Sequence, residues 1–306
     1  MLFRSTARGE LVDAVALAEA IGEKRIGGAA LDVFAVEPLP ADSPLRKLER
    51  VILTPHLAAS TAEAQERVSL EICGAVRDAL LAGDLSPAIN VPGISGDLLR
   101  RLGPLLDLAR RLGRLALVLV DGPVTAVEVD YGGKDEAAPR PVLMAAVEGL
   151  LSAMNVEPVS LVNALLIAEE RGVRHARKTG TPEPGFETTL GVTLETARGR
   201  ARVAGAVLGN GHGRVIRIDD YHVDVAPEGW MLIIRNRDVP GVIGRVGTLL
   251  GGAGINIGSY HQARVPFPGH DALAAITVDQ PLMNGVLDEL AKVPDIQLVR
   301  LANFGD

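Results

Sequence analysis

Aromatic residues are nearly missing from this chain: one Trp, three Tyr and five Phe among 306 residues, or 3%. Hydrophobic residues still make up 47%, so any core must be aliphatic, built from Leu, Val, Ile and Ala. Cysteine is scarcer, with Cys73 alone. That excludes an internal disulfide and fits a reducing, cytoplasmic compartment. Long apolar runs are also missing. Leu115–Val120 is closed by Asp121, far short of the roughly 20 residues a membrane helix needs, so no membrane partner is expected. Met1–Ser5 leads straight into charges and a turn, without the apolar segment of a signal peptide. Positive charge is the minority sign, 31 Lys and Arg against 38 Asp and Glu, for a formal net charge of -7. Nucleic acid is therefore excluded as the main partner, because phosphate binding needs a basic surface.

What is present suffices for two or three domains. Val12–Ala20 has apolar residues at helical spacing, Ile26–Phe34 and Val51–Leu53 are short apolar runs, and Thr61 heads a long amphipathic pattern through Leu80. Helix, strand, strand and long helix make part of an alternating α/β layer. Pro87–Gly96 is rich in Pro and Gly and reads as a linker. Beyond it, helices are expected at Leu98–Gly113, Pro141–Met154 and Leu161–Glu170. Strands are expected at Leu115–Val120 and Val124–Tyr131, then in a run from Phe186 to Val225. The cluster Arg171, Arg174, Arg177 and Lys178 reads as a charged helix end and loop, or as an anion site. From Trp230 the order is strand, helix, strand, strand, helix, strand: the ferredoxin-like βαββαβ pattern. The expected fold is thus α/β in three parts: residues 1–92, a mixed α/β domain 93–226, and a βαββαβ domain 227–306.

Three segments of the first part carry chemistry. Arg8 stands before Gly9 where a strand should end, Glu37 ends the run Asp32–Pro38, and His56 sits behind Pro55. A guanidinium fork binds a carboxylate bidentately. Histidine can take and return a proton near neutrality, and a carboxylate beside it selects its tautomer. Placed at strand ends of an open α/β sheet, such residues converge at the carboxyl edge. Removal of a hydride requires a nicotinamide cofactor. Taken singly, each residue has an ordinary alternative as a surface or loop residue. The joint pattern is what points to oxidation of a 2-hydroxy acid.

The segments ARGELVD, GAALDVFAVEP and TPHLAAST resemble, in order and spacing, the signatures of the D-isomer-specific 2-hydroxyacid dehydrogenases. The resemblance implies that Arg8 binds the substrate carboxylate, that His56 is the acid/base and that Glu37 is its partner. It also implies that Ala7, Arg8, Asp32 and His56 border an NAD cofactor; no metal is expected. Ala58 and Ala14 depart from the usual residues at their positions. A G-x-G-x-x-G phosphate loop finds no counterpart, and Gly209–Gly213 reads as a hairpin turn. The Leu2–Ser5 tetrapeptide equals a translated sequencing-adapter end, which suggests that Met1–Ser5 are non-native and that the natural chain extends upstream of Thr6. This chain alone is then expected to be inactive.

Residues 97–226 resemble the intervening domain of long-form D-3-phosphoglycerate dehydrogenases. Trp230–Phe304 resembles an ACT domain, marked by Arg237–Gly241 and Gly254–Ile257. The combination implies NAD-dependent oxidation of 3-phosphoglycerate, the first step of L-serine biosynthesis. It also implies L-serine as an effector held by Asn236, Asp238 and Asn256, and a homo-oligomer formed through the ACT and intervening domains. The alternatives are another D-2-hydroxyacid dehydrogenase with an ACT tail, and a non-catalytic amino-acid sensor.

Overall fold

The computed structural model describes residues 1–82, 84–89, 95–154, 158–209, 211–264, 271–282 and 285–305. The expected boundary at 92/93 lies outside them, as do the ends of two elements expected to include Val265 and Met283. The chain divides into two compact units, Met1–Asp84 and Leu85–Asp306.

In the first unit, β1 (Leu2–Ser5), β2 (Gly28–Leu31) and β3 (Val51–Leu53) form a three-stranded sheet in that order, with both pairs parallel. Residues 2–5 pair in register with Gly28–Leu31. Between β1 and β2 lies α1 (Ala14–Gly22), whose N-terminus is capped by Asp13: its carboxylate accepts from the Val15 and Ala16 amides at 2.9 and 3.0 Å. Leu17, Ile21, Ala29, Leu31 and Leu45 make a small core. α2 (Ala62–Ala82) follows β3. Thr61 accepts the Ala64 amide at its start, yet the helix has no buried residue.

The second unit begins with α3 (Gly96–Val118), capped by Ser95. Leu115–Val118, expected as strand, continues this helix. A short apolar run does not tell strand from buried helix; here Leu115 and Ala116 face the core at 0% exposure. β4 (Val124–Gly132), α4 (Pro139–Ala153) and α5 (Ala164–Glu170) follow. α3 and α4 touch backbone to backbone. A Cβ on Gly113 would lie 2.1 Å from the Ala146 carbonyl oxygen, and one on Gly149 would lie 2.0 Å from that of Arg110. β5 (Arg174–Gly180), β6 (Thr189–Thr196), β7 (Gly199–Val207), β8 (Gly213–Ile218) and β9 (Tyr221–Val225) complete a six-stranded sheet, ordered β5-β4-β6-β7-β8-β9. Of the basic cluster, Arg171 does stand at a helix end, the C-cap of α5, whereas Arg174, Arg177 and Lys178 lie on the edge strand β5, parallel to β4. Its polarity hides it, because an edge strand with exposed side chains lacks the alternation that marks a half-buried one.

The last strands and helices are β10 (Trp230–Arg237), α6 (Val242–Gly252), β11 (Ile257–Arg264), β12 (Asp271–Val278), α7 (Val286–Lys292) and β13 (Ile296–Asn303), with sheet order β11-β12-β10-β13. This is the ferredoxin-like arrangement expected from the sequence. Both faces of the sheet are covered. Leu232, Ile234, Ala274 and Ile276 pack on Val242, Val246, Leu250 and Leu290 of the helices. Met231, Ile233, Leu273 and Ala275 join the core under the six-stranded sheet. Polar contacts link the two layers: Arg114 Nη1 donates to the Phe304 carbonyl at 2.9 Å, and Arg300 pairs with Asp121 at 2.9 Å. Among the described residues no helix is long and apolar enough to cross a membrane.

Candidate active site

The three parallel strands all end toward one edge, and each is followed by one of the candidate segments: Thr6–Gly9 after β1, Asp32–Glu37 after β2, Thr54–His56 after β3. Asp32 organises that edge. It is 6% exposed, and its Oδ1 accepts the Thr54 hydroxyl at 2.5 Å and the Leu57 amide at 2.9 Å. Its Oδ2 accepts the Ala58 amide at 2.9 Å, and its backbone carbonyl accepts the His56 amide at 2.9 Å. His56 is thereby held at φ +54°, a left-handed conformation uncommon outside glycine. The Thr54 hydroxyl first, with help from the Leu57 and Ala58 amides, holds the Asp32 carboxyl below the usual range against the opposing push of burial.

His56 Nδ1 lies 2.8 Å from Glu37 Oε2, and Glu37 Oε1 accepts the Phe34 amide at 2.9 Å. The His56 contact, followed by the Phe34 amide, keeps the Glu37 carboxyl below its ordinary range. An ionised carboxylate only accepts hydrogen bonds. In a neutral His56 this contact places the proton on Nδ1 and leaves Nε2 as the acceptor nitrogen. Beside this pair lies a cleft of about 500 Å³ walled by Phe34, Leu39, Leu53 and Pro55.

Arg8 is exposed and does not line that cleft. Its Nη1 donates to the carbonyl of Ala7, also exposed, at 2.9 Å. What brings its loop to the site is Gly9, a residue that the sequence pattern does not single out. A Cβ there would lie 1.9 Å from the Phe34 carbonyl carbon and 2.3 Å from the Ala35 nitrogen. The Arg8–Gly9 turn thus rests directly on the segment that carries Glu37. An arginine followed by an obligatory small residue is the only sequence signal for this contact.

The residues fit one end of a nicotinamide cofactor. The Asp32 carboxylate uses three of its four acceptor positions within the chain, so one is left for a further donor, and the exposed end of β1 lies on the neighbouring strand.

The candidate effector residues separate into two groups. Asn236 is 1% exposed; its Nδ2 donates to the Arg237 carbonyl at 2.6 Å, while its Oδ1 has no partner among the described residues. Asp238 pairs with Arg264 at 2.9 Å. Asn256 donates to Asp279 at 2.6 Å. Asn236 lies opposite Ala272 at one end of β12, whereas Asn256 lies by Asp279 beyond the other end. At about 3.4 Å per residue the two ends are roughly 20 Å apart. A single chain does not bring the three residues around one small molecule.

The chain thus joins a parallel sheet with a Glu–His pair at its carboxyl edge to a mixed α/β domain and a βαββαβ domain. Comparison with known proteins agrees. Residues 2–58 match the D-isomer specific 2-hydroxyacid dehydrogenase NAD binding domain, residues 101–219 the D-3-phosphoglycerate dehydrogenase intervening domain, and residues 230–295 the ACT domain. A D-3-phosphoglycerate dehydrogenase of Synechocystis sp. is 39% identical over 95% of this chain and 52% of its own length. One of Methanocaldococcus jannaschii is 35% identical over 97% and 56%. Nearly the whole chain is similar to D-3-phosphoglycerate dehydrogenases, and it spans about half the length of the curated relatives it matches. A solved D-isomer specific 2-hydroxyacid dehydrogenase from Xanthobacter autotrophicus Py2, in complex with NADPH and MES, is 40% identical over 25% of this chain and 31% of that one. Its TM-score of 0.23 is too low to carry an argument.

Proposed function

We propose that this chain supplies the acid/base part of an NAD-dependent oxidation of D-3-phosphoglycerate to 3-phosphohydroxypyruvate, the first step of L-serine biosynthesis. The observation that carries the reading is the Glu37–His56 dyad at 2.8 Å, with Glu37 anchored by the Phe34 amide. His56 Nε2 takes the hydroxyl proton of the substrate, and Glu37 stabilises the imidazolium that results. Arg8 binds the substrate carboxylate through its fork. Asp32 holds the turn that aims His56. The nicotinamide cofactor, when bound beside Ala7, Arg8, Asp32 and His56, accepts the hydride that leaves the same carbon.

The test follows NADH absorbance with a panel of D-2-hydroxy acids. It uses this chain by itself and fused behind the N-terminal half of the Synechocystis relative. The expected outcome is no activity from the chain alone, and turnover of D-3-phosphoglycerate above glycerate or lactate by the fusion. Preference for an unphosphorylated acid would favour another dehydrogenase of this family that carries an ACT tail.

The ACT domain is proposed to sense L-serine between two copies of the chain. Antiparallel pairing at the edge strand β11 would reverse one sheet against the other. That would set the Asn236 and Asp238 end of one copy beside the Asn256 end of its partner, which the roughly 20 Å separation within one chain otherwise prevents. Sedimentation with and without L-serine tests this; a dimer indifferent to serine and to Asp238→Asn would overturn it.

A further inference from the structure

The six-stranded sheet packs one face on α3 and α4. Its opposite face carries a polar slot that the dehydrogenase reading does not use. Cross-strand partners share a face, as do residues two apart on one strand. Glu128 on β4 lies opposite Thr193 on β6, and Thr193 opposite Arg202 on β7. Two residues along, Asp130 lies opposite Gly191 and Gly191 opposite Ala204. β6 therefore runs between Asp130 and Arg202, and the Arg202 side chain crosses diagonally over Gly191 to reach Asp130. It arrives at 3.4 Å, well outside the roughly 2.7–2.9 Å of a good charge-assisted bond.

Other polar atoms here are under-bonded too. Arg202 Nε is buried and has no partner among the described residues, and the same holds for Thr193 Oγ1 in a residue only 3% exposed. Buried polar groups are normally satisfied, and each exception calls for a cause. The neighbouring charges have good partners: Lys178 with Glu128 at 2.7 Å, and Glu183 with Arg217 at 2.8 Å. What remains is one guanidinium with a single, loosely held carboxylate beside it. They flank a glycine floor in a cleft of about 350 Å³. A Cβ at Gly191 would sit 3.3 Å from Asp130 and occupy that gap.

A ligand matched to this slot carries both charges close together. We propose that it binds a free α-amino acid, with its carboxylate on Arg202 and its ammonium on Asp130. Insertion exchanges one long Arg–Asp contact for two short ionic ones. The site lies on the intervening domain, and its residues are separate from Asn236, Asp238 and Asn256 of the ACT domain.

The test is an NMR titration of the isotope-labelled 306-residue chain with glycine, and separately with acetate and with methylammonium. Glycine is expected to shift the amides of Gly191, Thr193 and Arg202 saturably, while either half-ligand binds at least about tenfold more weakly. Asp130→Asn should weaken glycine about tenfold and leave acetate unchanged, and Gly191→Ala should abolish binding. Should Gly191→Ala disturb the whole spectrum, Arg202→Gln, which keeps much of the side chain and removes the charge, carries the test with a loss of about tenfold. Equal binding of acetate and glycine, or no shifts at these amides, overturns the proposal. L-serine shifts confined to the ACT residues would do the same while leaving the serine-sensing reading intact.

Discussion

Two long helices of similar amphipathic pattern behave in opposite ways. α2 has 21 residues and buries none of them; Val68, Leu70, Ile72, Leu80 and Leu81 are all more than half exposed. α3 has 23 residues and buries eleven, among them Leu108, Leu112 and Leu115. Periodicity alone predicts both helices. Burial depends on what lies opposite: α3 meets α4 across two glycines and a six-stranded sheet, whereas α2 meets no comparable partner within its unit. The same contrast separates the two units. The first holds a small core under three short strands and spends its polar contacts on fixing His56. The second holds most of the apolar core, and its ion pairs tie strands, helices and loops alike.

The largest effect that would sharpen this contrast is chemical. In the fused dehydrogenase, His56→Ala is expected to lower kcat on the order of 10²–10⁴-fold, with the folding of the second unit untouched in urea melts. Retention of full activity would remove His56 from the mechanism. Next comes packing. Leu112→Ala in α3 should cost about 2–5 kcal/mol by chemical denaturation, while Leu80→Ala in α2 should stay within about 0.5 kcal/mol. Equal losses would mean that α2 is buried in solution.

A smaller effect concerns pH. Asp32 and Glu37 both have depressed carboxyl pKa values. The stabilisation they give is therefore complete above the ordinary carboxylate range and is lost as the pH falls through their folded values, below that range. Hydrogen exchange of the Leu57 and Ala58 amides should show protection at neutral pH that collapses only in that acid window. Asp32→Asn should accelerate their exchange at neutral pH by about tenfold or more, and unchanged protection would rule out the clamp. The smallest effect is expected at the surface. Arg300→Ala breaks the pair with Asp121, whose side chain is 67% exposed, and should cost no more than about 1 kcal/mol by thermal melting.

Much of the site is legible in the amino-acid sequence. Arg8, Glu37 and His56 stand in short segments whose chemistry is local, and each does follow a parallel strand. The hidden part is the part carried by backbone. The three-point grip of Asp32 leaves no mark in residue type, and Gly9 against Phe34 leaves only a glycine after Arg8. Sequence assigns Asp32 to the cofactor, yet its carboxylate mainly holds the turn of His56. Strand β5 escapes a pattern search because edge strands need no apolar alternation. The end of α3 reads as strand because six apolar residues satisfy either geometry.

By itself the sequence determined the aliphatic core and most of the order of elements, β5 and the end of α3 apart, since these follow from side-chain type and spacing. Tertiary structure alone decided three things: that His56 is held left-handed by Asp32, that the effector candidates stand at opposite ends of one sheet, and that Arg202 reaches Asp130 across a glycine. Each depends on residues far apart in the chain but adjacent across strands, and the distance between them is set by register rather than composition.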